Sequence, residues 1–264
     1  MALNVLLPGA QGAVASGLFA IARKISSIVQ LVRTAFAYVL APLASLASTG
    51  SRDSVMDIYG FATRVSLAIA IPLGVTMAGM GPAFLSVFGK EAHLALPGLV
   101  VLLAARVAEA VFGAAVPIQQ VISGYKSQIV GSLAGFGLSV LIVWLLLPNA
   151  GLTGMTVAVG VGLVVAAVIP VWQLHRYDGL HPFVSPFLTV AAKSVAVAVA
   201  GLCVAMPVNW LIALKPLPDQ WLIPIAFVAM LSVLLATLWI ACRFALPLHD
   251  REALGKTGRA LKLA

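Results

Sequence analysis

The 264-residue chain is 62% hydrophobic and only 9% charged, with a mean hydropathy of +1.09. A soluble domain carries about 25% charged residues, so this composition cannot clothe a soluble surface and indicates an integral membrane protein. The net charge of +8 gathers at loops and the tail with no basic groove interleaved with aromatics, which argues against nucleic acid as a partner.

Apolar stretches of about 20 residues recur along the chain, the length a helix needs to cross a bilayer. The expected fold is therefore all-α, a polytopic membrane bundle of about seven helices. The opening MALNVLLPG has neither the charged region nor the long apolar run of a signal peptide. A first span is expected within 14–47, followed by a polar loop holding Ser48, Arg52, Asp53 and Asp57. The second span, about 61–87, is interrupted at Pro72 and at Gly79-Met80-Gly81-Pro82; the third runs about 95–122. The fourth, 129–147, leads through a Pro148-Asn149-Ala150-Gly151 turn to the fifth, 152–174. A loop from His175 to Pro186 precedes the sixth at 187–213 and the seventh at 220–246. Residues 247–264 read as a basic cytoplasmic tail.

Cation distribution sets the orientation. With the N-terminus outside, the inner loops and helix ends hold Arg52, Arg64, Lys126, Arg176, Lys193, Arg243, Arg251, Lys256, Arg259 and Lys262, against Lys90 and Lys215 outside. The chain is thus expected to be N-out and C-in. That start asks a helix carrying Arg23 and Lys24 to insert first, which suits the later half of a larger protein or one working with a partner half; the alternative is a complete small seven-helix protein.

Four cations, Arg23, Lys24, Arg33 and Arg106, fall inside spans. Helices keep such residues where they face a bundle interior, a watery cavity or a counter-charge, because a charge at the bilayer centre costs roughly 2.5–3.5 kcal/mol on insertion scales. At about 100° per residue, Ser16, Arg23, Ser27, Gln30 and Thr34 share one narrow sector, flanked by Lys24 and Arg33. The stripe reads as a cavity wall for phosphate or an acidic sugar, which arginine grips with forked hydrogen bonds. Alternatively, Arg23 and Lys24 mark an interface and snorkel, with a true span of 28–47. In the third span Arg106 and Glu109 are neighbours at i,i+3. Glu109, the one acidic residue placed inside any span, is the candidate for ion coupling or for a charge partner.

Gly131 and Gly135 form a GxxxG expected to be a close helix contact. Cys203 and Cys242 lie in apolar spans as packed thiols, and the four histidines do not cluster in sequence. No phosphate loop, His-Glu-x-x-His pair or catalytic triad is present. The expectation is a non-enzyme without metal or cofactor.

The run GLFAIARKISSIVQLVRTAFAYVLAPLAS at 17–45 resembles a "GlYaaaykis…P" segment, and Pro82-Ala83-Phe84-Leu85-Ser86-Val87-Phe88-Gly89 fits a following span that ends near "fG". Gly124, Gly131, Leu146, Leu147, Pro148, Gly151, Leu152, Gly154 and Ala158 look like a later "LLP…GLxGxxxA" pattern. These are similar to the C-terminal half of polysaccharide (O-antigen/exopolysaccharide) flippases, relatives of multidrug exporters and the lipid II flippase. The resemblance covers most of 14–174 and implies one half of a fourteen-helix exporter of the bacterial inner membrane. It implies translocation of an undecaprenyl-pyrophosphate-linked oligosaccharide by alternating access, with Arg23, Lys24, Arg33 and Arg106 in a cationic cavity. The partners implied are that substrate, membrane lipid, and an N-terminal half or partner subunit.

Several alternatives stand beside this reading. A multidrug exporter of the same superfamily would favour acidic cavity residues, against which stands one Glu among four cations. A seven-helix photoreceptor needs a lysine in its last span, and 220–246 has none. A membrane-embedded polysaccharide-assembly enzyme would carry a large outer loop where this chain has short ones. A non-transporting scaffold is the last alternative.

Overall fold

The computed structural model describes residues 10–48, 52–214 and 219–254. Residues 1–9 and the tail beyond 254, with Lys256, Arg259 and Lys262, lie outside the described residues, as does Lys215. Every described element is helical, and no strand occurs among the described residues. Seven stretches are long and apolar enough to cross a membrane: Gly12–Tyr38, Arg52–Gly79, Glu91–Ile122, Tyr125–Leu147, Ala150–Asp178, Phe187–Leu211 and Phe227–Phe244. The chain is a multi-pass, all-α membrane bundle.

The first span is α1 (Ala10–Ser48) and the second is α2 (Arg52–Gly79). α2 begins at Arg52 instead of near 61, so the expected polar loop with Asp53 and Asp57 is helix. Leaving the bilayer does not end a helix, and Asp53 in the first turn complements the positive end of the helix dipole. Pro72 stays within α2, and the chain breaks at Met80 before the short α3 (Gly81–Ser86). After a 3₁₀ turn over Lys90–Ala95 the third span is two pieces, α4 (Leu96–Phe112) and α5 (Ala115–Ile122). Pro117 accounts for the break. It has no N–H for the Gly113 carbonyl four residues back, and that carbonyl accepts from the Val116 N–H at 3.3 Å instead.

α6 (Tyr125–Gln173) contains the fourth and fifth spans and reverses at Gly151, whose φ of +48° and ψ of −124° lie outside the helical region. The reversal makes an antiparallel hairpin. Bilayer lipid supplies no hydrophobic force between helices, so close packing of small residues must hold it. A Cβ on Gly135 would fall 2.5 Å from the Gly162 carbonyl oxygen, which places the GxxxG at a close backbone approach. A π turn (Leu174–Asp178) follows, then α7 (Phe187–Leu214), α8 (Asp219–Phe244) and α9 (Leu248–Ala253). The described start of the expected tail is helical, and α9 docks on the bundle through a buried Asp250.

The second and third spans form the centre, 72% and 67% buried, whereas the fourth is only 11% buried. The fourth span shows its surroundings Ile129, Leu133, Phe136, Val140 and Trp144, and residues 127–147 hold no charged side chain. Such an uncharged, apolar surface suits contact with lipid. α1 packs one side on α2, α4 and α5, burying Ala22, Ile25, Val29 and Leu40.

Candidate functional site

Three of the five residues singled out in the spans meet at one point. The Arg33 guanidinium, from α1, donates to Oε1 of Glu109 on α4. Arg106 donates to Oε2 of the same carboxylate at 2.5 Å. The Arg106 and Glu109 side chains are 8% and 6% exposed, while Arg33 keeps 33%. The i,i+3 pair expected within the third span is present, and Arg33 joins it from a helix 76 residues away.

Gly113 makes room for this arrangement. A Cβ there would lie 2.8 Å from Arg33 Cδ and 2.9 Å from Cγ. The aliphatic stem of Arg33 thus crosses the break between α4 and α5, so the Pro117-induced interruption and the ion pair share one site. A buried charge needs its partner and its hydrogen bonds together. Glu109 has both oxygens engaged, whereas Arg106 Nε is buried with no hydrogen-bond partner.

Arg23 and Lys24 are placed differently. Both are exposed on α1, within the Gly12–Tyr38 stretch that is long and apolar enough to cross a membrane. On the polar stripe Thr34 is exposed, and Ser16, Ser27 and Gln30 are half-buried. Gln30 and Lys24 supply only backbone carbonyls, to the Thr34 and Ser27 hydroxyls. The stripe borders Arg33 on the flank of α1 that the other described residues leave uncovered. Cavities of about 480, 290, 530 and 630 Å³ open elsewhere in the bundle, and none is lined by the four cations. Arg23 and Lys24 belong to an open face, not to a closed chamber within this chain.

The five groups carry four positive charges and one negative: Arg23 lies in the polar stripe of α1, Lys24 and Arg33 flank that stripe on opposite sides, and Arg106 and Glu109 join Arg33 at the junction with α4, which leaves α1 with a net-positive polar face. Such a face can attract phosphate or carboxylate, and Arg33 could offer a second N–H while still holding Glu109. Among the described residues no group of three or more His, Cys, Asp or Glu side chains is gathered that could hold a metal ion.

A sixth charged residue matters. Arg64, one of the cations expected at inner helix ends, is buried within α2. Its Nε and Nη2 donate to Oδ2 and Oδ1 of Asp250 at 2.6 and 2.8 Å. The fork ties α9 to the bundle centre. Sequence spacing held no sign of it, since the partners are 186 residues apart. The one available signal was Arg64 itself, lying inside an apolar helix.

No known family model matches the sequence, and no curated protein matches it.

Proposed function

We propose that the chain is a membrane transporter that moves a lipid-linked, anionic oligosaccharide of the undecaprenyl-pyrophosphate class across a bacterial inner membrane. It acts by binding and reorientation, without covalent catalysis. One contrast between two uncovered surfaces carries the reading. Residues 127–147 of the fourth span hold no charged side chain and expose Ile129, Leu133, Phe136, Val140 and Trp144, as lipid requires. The first span exposes Arg23, Lys24 and Thr34 within its length.

A cation facing hydrocarbon near the bilayer centre costs roughly 2.5–3.5 kcal/mol on insertion scales, so two adjacent ones within a span favour water or an anion on that side. The pyrophosphate would meet Arg23 and Lys24, while Arg33, roughly 14 Å further along α1 and held in place by Arg106 and Glu109, would meet another anionic group of the substrate. The likeness of residues 17–45 and 82–89 to polysaccharide flippases supplies the substrate class, and the other wall of the pathway would belong to an N-terminal half or a partner subunit. A multidrug exporter fits less well, because Glu109 is already engaged by two arginines and has no free oxygen for a cationic drug.

The test is flipping of a fluorescent undecaprenyl-pyrophosphate oligosaccharide in liposomes holding the full chain with its cellular partners. A charge-assisted hydrogen bond contributes about 1.5–3 kcal/mol, so the double variant Arg23→Gln, Lys24→Gln should slow flipping by about ten-fold or more. Unchanged flipping by folded, correctly inserted protein would remove the cations from the mechanism.

A further inference from the structure

The cation-rich end of the bundle carries a second site, built around the π turn at Leu174–Asp178. The π turn closes the C-terminus of α6 with a left-handed Gly179 cap, and it is fastened from two sides. Ser123 Oγ donates to Asp178 Oδ2 at 2.8 Å, and the Arg52 guanidinium donates to the Asp178 carbonyl. These contacts fix the backbone that presents His175, Arg176 and Tyr177.

Beside the turn lies a cavity of about 480 Å³ lined by Phe112, Val168, Val171, Trp172, His181 and Phe183, with His175 at its edge. Its volume is within the range of organic-ligand sites, which pair an apolar wall with a few placed polar groups. Val171 forms a buried floor, whereas Val168, Trp172 and Phe183 are exposed on the outer flank. The mouth therefore faces what surrounds the bundle, not its interior. Trp172 and Tyr177 pack edge-on with ring centroids 6.3 Å apart, the amphipathic aromatics typical of the headgroup level. His175 and His181 stand 5.9 Å apart, and the buried Nδ1 of His181 has no hydrogen-bond partner. Arg176 on the turn and Lys126 on the first turn of α6 are exposed, and neither forms an ion pair among the described residues.

An apolar slot open to the bilayer, an imidazole nitrogen left over, and unpaired cations at the inner interface make a consistent set. We infer that this cavity binds an anionic phospholipid of the inner leaflet. One acyl chain would lie against Phe112, Val171, Trp172 and Phe183. The phosphate would be held near His175, Arg176 and Lys126. Basic sites at helix ends on this side of a membrane select anionic headgroups, while the slot supplies the affinity that a free anion would lack. This site would act whether or not α1 lines an anion pathway.

Native mass spectrometry of the full chain, released from nanodiscs of equal phosphatidylglycerol and phosphatidylcholine, tests this directly. Retained phosphatidylglycerol should exceed phosphatidylcholine, and Arg176→Ala and Lys126→Ala should each cut that preference about five-fold. Trp172→Ala and Phe183→Ala, both at exposed positions, should lower retention of either lipid. Arg176→Lys should keep the preference, which separates charge from fold. Equal retention of the two lipids, or variants indistinguishable from the parent, would overturn the site. Thermal stabilisation by inorganic phosphate alone, equal to that by phosphatidylglycerol, would overturn it in favour of a free-anion site.

Discussion

Arg33 and Glu109 come from different spans, and their ion pair fastens α1 to α4 where the covered side of α1 gives way to its polar, uncovered side. Arg106 holds the other oxygen of the same carboxylate, so a single acid anchors two arginines and fixes the position of one that reaches the open face.

Glu109 is the member whose loss costs most. Glu109→Gln leaves Arg106 buried without its counter-charge, and removing one partner of a buried pair costs about 3–5 kcal/mol. Thermal unfolding in detergent should show a large loss for Glu109→Gln and a smaller one for Arg33→Gln, whose side chain keeps partial exposure. A double-mutant cycle between Arg33 and Glu109 should give a coupling of about 1 kcal/mol or more. Near-zero coupling would mean that the contact contributes nothing.

Gly113 offers a way to move Arg33 without touching a charge. Gly113→Ala would set a methyl 2.8 Å from Arg33 Cδ and 2.5 Å from the Glu109 carbonyl oxygen. Overpacking of this kind costs about 1–3 kcal/mol. In the Gly113→Ala background the Arg33–Glu109 coupling should fall, while Arg64–Asp250 coupling stays as it was. An unchanged Arg33–Glu109 cycle would show that the stem does not depend on that gap.

The Arg64–Asp250 fork makes α9 part of the bundle. Asp250→Ala strands a buried guanidinium, so stability should drop by about 3–5 kcal/mol. Limited proteolysis should then cut within Leu248–Ala253 faster than in the parent. Arg64→Lys keeps the charge but loses the two-pronged geometry, and should fall between the two. Equal protease resistance in all three proteins would contradict the latch.

The spans were legible because hydrocarbon imposes a length and a polarity that the chain cannot disguise. Arg106 and Glu109 were legible as a pair because helix geometry brings i and i+3 together. Arg33 meeting Glu109 was not, since nothing in a sequence says which helices become neighbours. The Arg64–Asp250 pair was hidden for a related reason. Counting cations toward one membrane face assigns charge by rank along the chain, and it cannot register a counter-ion arriving from a docked helix far downstream. The start of α2 was set too late because polarity was read as the end of helix, although it marks only the end of hydrocarbon.

The hairpin makes a separate prediction about packing. Gly135→Val would push a branched side chain into the Gly162 backbone, where a Cβ alone would stand 2.5 Å from the carbonyl oxygen. A loss of about 1–3 kcal/mol is expected from overpacking, read as a lower unfolding temperature. Gly137→Val, at a position with open space around its Cβ direction, should be close to neutral. Equal effects at the two sites would disprove the close approach.

The central claim is that the uncovered side of α1 faces water and anions, whereas the fourth span faces lipid. With Cys203 and Cys242 replaced by alanine, single cysteines at Ser27, Thr34, Leu133 and Phe136 can be labelled in membranes with a charged, membrane-impermeant thiol reagent. Thiolate forms in water and not in hydrocarbon, so Ser27→Cys and Thr34→Cys should react at least about ten-fold faster than Leu133→Cys and Phe136→Cys. An excess of lipid-linked oligosaccharide should slow only the first pair. Equally slow labelling at all four positions would place α1 against lipid and contradict the account.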